Sequence, residues 1–147
     1  DPATFQDLMA TARSALEGRG CEIAMRVFAP AEVPAFFALG LDAEFHRELD
    51  RTKSVASGLW NEILDAMAPR PESLRPTRLC LNAGSRLVRQ IASFRDADLQ
   101  RTAVEVLYVQ ALMSGQHALS AQELALLNSG MERLLTHLAV QRAGDAQ

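Results

Sequence analysis

Between residues 96 and 140 the sequence carries two long helical periodicities in direct succession, and each is apolar on more than one side. Asp96 can cap the first, which runs to about Met113 before Ser114-Gly115 stops it. Ser120-Ala-Gln-Glu123 is a capping box that starts the second. Each helix would be roughly 27–30 Å long at 1.5 Å per residue, and the short connection makes them an antiparallel hairpin. The first has Leu99, Ala103, Val106 and Leu107, then Val109, Ala111, Leu112 and Met113. The second has a stripe of Leu124, Leu127, Met131, Leu134 and Leu138, with Leu126 and Leu135 beside it. One apolar face can be satisfied within the domain, but a second needs another cover. That cover is either this chain's own sheet and first helix or a second copy of the hairpin. The pattern favours a homodimer closed as a four-helix bundle. Its expected interface is Val106, Leu107, Leu112, Met113, Leu124, Leu127, Met131, Leu134 and Leu138.

The upstream part is mixed. Phe5, Leu8, Met9, Ala12 and Leu16 form one helix face, which Gly18 and Gly20 end. A cap at Asp1 followed by Pro2 suits a chain cut out of a longer one. Cys21, Ile23, Met25 and Val27 alternate with Glu22, Ala24 and Arg26, which predicts a strand with one buried face. After a turn at Pro30 and Pro34, Ala35–Leu39 predicts a second strand. From Asp42 to Arg51 the pattern is a charged, solvated helix. Leu59, Trp60, Ile63, Leu64 and Met67 then lie at helical spacing between a Gly/Ser joint and a Pro-rich linker. Arg78–Leu81 is a third strand, and Asn82 or Ser85 begins a short helix with Leu87, Val88 and Ile91. The fold expected is α+β, a three-stranded sheet packed with helices and ending in the hairpin. It forms one domain over 1–147: an α/β part to residue 95, dimerisation helices over 96–140, and a frayed polar tail over 141–147.

Composition removes several function classes. With 18 Asp+Glu against 15 Lys+Arg the net charge is −3, which argues against nucleic acid. The arginines around the third strand have no interleaved aromatics. No apolar run approaches the ~20 residues of a membrane span, and the start does not read as a secretory signal. Cys21 and Cys80 lack metal-ligand spacing and read as reduced thiols. His46, His117 and His137 are far apart. Gly18-Arg19-Gly20 lacks the Lys-Ser/Thr of a phosphate loop, and there is no Gly-x-Ser-x-Gly elbow. The expectation is a cytoplasmic, non-enzymatic chain with no catalytic, cofactor or metal site.

Two segments carry a family resemblance. Leu79-Cys-Leu-Asn-Ala-Gly-Ser-Arg-Leu-Val-Arg-Gln-Ile91 resembles the strand-to-helix segment near the end of the heat shock protein 90 chaperones. Val106-Leu-Tyr-Val-Gln-Ala-Leu-Met113 resembles the Leu-Leu-Tyr-x-x-Ala-Leu-Leu core of their following helix. The order of upstream elements is similar too. Ala83 stands where that family usually has Pro, and Gly84-Ser85 replaces a polar pair. The acidic tail of the eukaryotic members is missing, as in bacterial ones. The resemblance implies the C-terminal dimerisation domain of an ATP-dependent chaperone of protein folding and the stress response. ATP and Mg would be bound in the parent's N-terminal domain. It also implies unfolded-client contact by the helix at Leu59–Met67, through Leu59, Trp60, Ile63, Leu64 and Met67, which pattern alone reads as core. The alternative is a stand-alone helical adaptor or ligand-binding domain.

Overall fold

The computed structural model describes residues 2–38 and 77–145. Helix α1 (Pro2–Ala15) leads into β1 (Cys21–Arg26) and β2 (Ala35–Ala38). Then come β3 (Thr77–Asn82), α2 (Arg86–Ala92), α3 (Ala97–Ser114) and α4 (Ala121–Asp145). This is the α+β class that the sequence predicts. The charged helix expected over Asp42–Arg51, and the one with Leu59, Trp60, Ile63, Leu64 and Met67, lie outside the described residues, as does Leu39.

The sheet order is β1-β3-β2, with β3 parallel to β1 and antiparallel to β2. The register aligns Ile23, Leu79 and Phe37 in one row and Met25, Leu81 and Ala35 in the next. Alternation puts both rows on one face, and this face packs on the helices. The rear face carries Glu22 paired with Arg78 at 3.3 Å, then Ala24, Cys80 and Phe36. Burial pushes the Cys80 thiol up from its ordinary value, and the Arg78 and Arg26 guanidiniums offset part of that.

Val27 departs from its expected inward position and is 78% exposed. The strand ends at Arg26, and the chain leaves the sheet plane into a turn that Asn82 holds. This buried side chain donates from Nδ2 to the Phe28 and Val33 carbonyls at 3.0 and 2.9 Å, and to Pro30 O at 3.4 Å. Its Oδ1 accepts from the Phe28 and Gly84 amides at 3.2 and 3.0 Å. One amide side chain thereby engages five backbone groups of the turn, of which Pro30 O also accepts from the Val33 amide at 3.2 Å.

The helix ends follow local chemistry. Ser85 caps α2 by accepting from Val88 N. Asp96 caps α3, accepting from the Asp98 and Leu99 amides at 3.0 and 3.2 Å. Ser120 and Glu123 close the reciprocal box at the start of α4, at 2.9 and 3.1 Å. Past α1 the turn is set by Gly18 and Gly20, whose φ values of +84° and +71° suit glycine. Gln100, buried on α3, accepts from Thr11 of α1 and donates to Ile91 O of α2, and so joins three helices.

α3 sits at the centre. It packs against α1, α2, α4 and β2, and Val104, Val109 and Leu112 are fully buried. The second apolar face read on this helix is therefore covered by the chain's own first helix and sheet. α4 runs to Asp145, past the expected end near residue 140. Leu138-Ala-Val-Gln-Arg-Ala143 continues in good helix formers, and Arg142 complements the dipole at the C-terminal end.

Asn82→Ala is expected to lower unfolding stability by about 1–3 kcal/mol, since it strands partly buried backbone groups of the turn. A shift of the urea midpoint equivalent to under ~1 kcal/mol would show that the turn does not depend on this side chain.

Candidate interaction surface on the C-terminal helix

α4 meets α3 antiparallel. Near one end, the Tyr108 hydroxyl donates to buried Glu123 at 2.7 Å. Phe37 of β2 packs edge-on to Tyr108 and His117 at 5.6 and 6.0 Å, which fixes the connection to the sheet. Further along, Gly130 lies against α3 so closely that a Cβ there would stand 2.6 Å from Val106 Cγ2. The glycine thus sets how near the two helix axes come. At the far end, Leu134 and Leu138 stand beside Leu99 of α3 and Phe94 in the loop before it.

At about 100° per residue, Glu123, Leu127, Gly130 and Leu134 share the face turned to α3. Leu124, Met131, Leu135 and Leu138 form a second stripe about 90° further round. The structure leaves that stripe uncovered, at 50%, 44%, 59% and 55% exposure. On the helix wheel, Glu132 and Arg133 fall outside it.

The nine residues expected at a dimer interface divide into three groups. Leu107 and Leu112 are corrected to core positions, because α1, β2 and α4 enclose α3. Val106, Leu127 and Leu134 are half-buried where α4 meets α3. Met113, Leu124, Met131 and Leu138 are exposed. Leu135 belongs with the last group, although the sequence placed it only beside the main stripe. The expected client-contact residues Leu59, Trp60, Ile63, Leu64 and Met67 lie outside the described residues.

Around Leu138 the stripe opens into a groove of about 680 Å³. Phe94, Leu99, Leu134 and Leu138 supply its apolar walls, and Arg95, His137 and Gln141 its polar rim. Phe94 and Leu99 carried no signal of this role, since nothing local in the sequence places them opposite the end of α4. Among the described residues no three His, Cys, Asp or Glu side chains group as a metal site would need. Among them, too, no helix is long and apolar enough to cross a membrane. No known protein family matches the chain, and no curated protein matches it.

The fit at Gly130 has a measurable sign. Gly130→Ala gains about 1 kcal/mol of helix propensity but drives a methyl into a β-branched side chain of low χ1 freedom. The net expectation is destabilisation by about 1–3 kcal/mol. Gly144→Ala, with nothing within 4 Å of the added methyl, serves as the control and should be neutral or stabilising. If thermal melts moved alike for both, close helix contact at Gly130 would be refuted.

Proposed function

We infer that this chain is a homodimerisation domain, and that its role is to hold together two copies of an ATP-dependent chaperone of the heat shock protein 90 type. The observation that carries the reading is the row of Leu124, Met131, Leu135 and Leu138, each exposed by 44% or more, on a helix whose adjoining face is already used against α3. A lone surface leucine is ordinary, but an aligned row over four turns is not. The resemblance at Leu79–Ile91 and Val106–Met113 supplies the parent. In this reading the domain does no chemistry of its own. It raises the effective concentration of two ATPase arms, so that their closure on each other becomes intramolecular. Leu59, Trp60, Ile63, Leu64 and Met67 would contact unfolded clients from the cleft between the copies.

The interface would be carried mostly by α4. A helix of 25 residues is ~37 Å long and ~10–12 Å across, a projected footprint of roughly 400 Å². That is about half of the ~800 Å² per partner of a standard stable interface, and the groove walls beside Leu138 would add to it.

Light scattering at tens of micromolar should give twice the 16.1 kDa chain mass. Leu135→Glu should give a folded monomer, because the charge is tolerated in water and would be unpaired in the interface. A monomeric parent sequence would end the proposal. So would a Leu135→Glu variant that stays fully dimeric.

A further inference from the structure

We propose that one end of the sheet is a docking surface for a partner protein, and that it takes a short acidic segment carrying an apolar side chain. The surface consists of Val27, Phe36 and Leu87, flanked by Arg26 and Arg86. It does not depend on how copies of the chain associate, because β1, β2 and α2 make no extensive contact with α4. β1 ends at Arg26, β3 ends at Asn82 and β2 begins at Ala35, so three strand termini share this end. Phe36, the second residue of β2, meets Phe28 edge-on with ring centroids 5.1 Å apart. A Cβ added at Gly84 would stand 3.4 Å from Val27 Cγ1. Leu87 follows Gly84 by three residues, within a single helical turn.

The apolar part is both exposed and fixed. Val27, Phe36 and Leu87 are 78%, 43% and 46% exposed. Singly such residues are ordinary, but three gathered round one strand end form a patch of the kind that marks an interaction site. Val27 is not exposed through looseness. On one side of it Ala83 N donates to Arg26 O at 2.8 Å, and on the other the Phe28 amide donates to Asn82 Oδ1 at 3.2 Å. A side chain held out on a backbone pinned at both neighbours loses little freedom on binding.

Charge specifies the chemistry of the partner. Residues 77–95 hold four arginines and neither Asp nor Glu, whereas the rest of the chain has 11 basic residues against 18 acidic. Arg78 is paired with Glu22. Among the described residues Arg26, Arg86 and Arg89 have no ion-pair partner, and all three are exposed. Arg26 donates to the neighbouring Met25 carbonyl at 3.0 Å, which leaves its charge unmatched. Glu32 is the one carboxylate in the turn between β1 and β2, and among the described residues it forms no ion pair with these arginines. A positive island on an acidic chain attracts carboxylates, and the arginine fork matches their two oxygens. A few cations beside an apolar patch are too few to hold nucleic acid on a chain of net charge −3.

The probe is a fluorescein-labelled peptide of Asp and Glu around two central leucines, titrated by fluorescence anisotropy against the full 147-residue chain. It should bind saturably, and more weakly as salt is raised. Replacing its leucines with serines, or its acidic residues with lysines, should abolish binding. Arg86→Glu should weaken binding about tenfold or more. The carboxylate then lies in the first turn of α2, where it suits the helix dipole, so the fold is kept. Val27→Ser, at an exposed position, should weaken binding several-fold with an unchanged thermal melt. Arg142→Glu, at the far end of α4, should bind like the unsubstituted chain. Absence of saturable binding, full binding by Arg86→Glu, equal binding of the serine peptide, or an equal loss in Arg142→Glu would each overturn the proposal. Tighter binding of a single-stranded oligonucleotide of equal charge, or of phosphatidylserine vesicles, would overturn it in favour of nucleic acid or a membrane surface.

Discussion

The enclosure of α3 is the constraint on which the rest of the molecule depends. A helix that is apolar on more than one side cannot lie on a surface. Here α1 covers one side, Phe37 of the sheet another, α2 its beginning and α4 a further side. Gln100 shows how close the packing is on the covered sides. Its polar amide is buried on this helix and spends its hydrogen bonds on Thr11 and Ile91 O, tying the surrounding helices to one another. Each fully buried leucine or valine on or against α3 contributes roughly 1.5–3 kcal/mol of burial, so the sheet and the outer helices are held by a common centre.

α4 has a different position in this scheme. Its extensive packing among the described elements is with α3 alone. Tyr108–Glu123 and Gly130 fix where it lies, and both act on one side of the helix. The side carrying Leu124, Met131, Leu135 and Leu138 contributes nothing to closing the core. Its apolar character therefore has no explanation among the described residues of a single copy. That asymmetry separates α4 from α3, although the sequence presents the two helices as alike.

The elements of this fold were readable wherever the signal was local. The alternation of Cys21, Ile23 and Met25 marks β1, the Asp96 cap marks the start of α3, and Ser120 with Glu123 marks α4. What periodicity cannot supply is the identity of the cover. Leu107 and Leu112 have the same helical spacing as an interface residue would, and only the three-dimensional path of α1 and β2 makes them core. Asn82 was legible as a turn or cap residue, but its real partners, Phe28, Pro30 and Val33, are about fifty residues away in sequence. Phe94 and Leu99 join the groove for a similarly long-range reason. Of the candidate surface, the apolar row on α4 was visible in the sequence, while its boundary with α3 was not.

Dividing the two apolar demands between two helices has a physical consequence. If α3 served both core and interface, any change that weakened association would also weaken folding. With the exposed row confined to α4, substitutions at Met131 or Leu135 act on a surface that is wet in the single copy, and these usually change stability by within about half a kcal/mol. Substitutions at Leu107 or Leu112 leave cavities in the core, at a cost of several kcal/mol. In the proposed dimer, association strength would therefore vary along α4 without loss of the fold. The limit is reached at Gly130, Leu127 and Leu134, where the two faces of α4 adjoin and a change made for one is felt by the other.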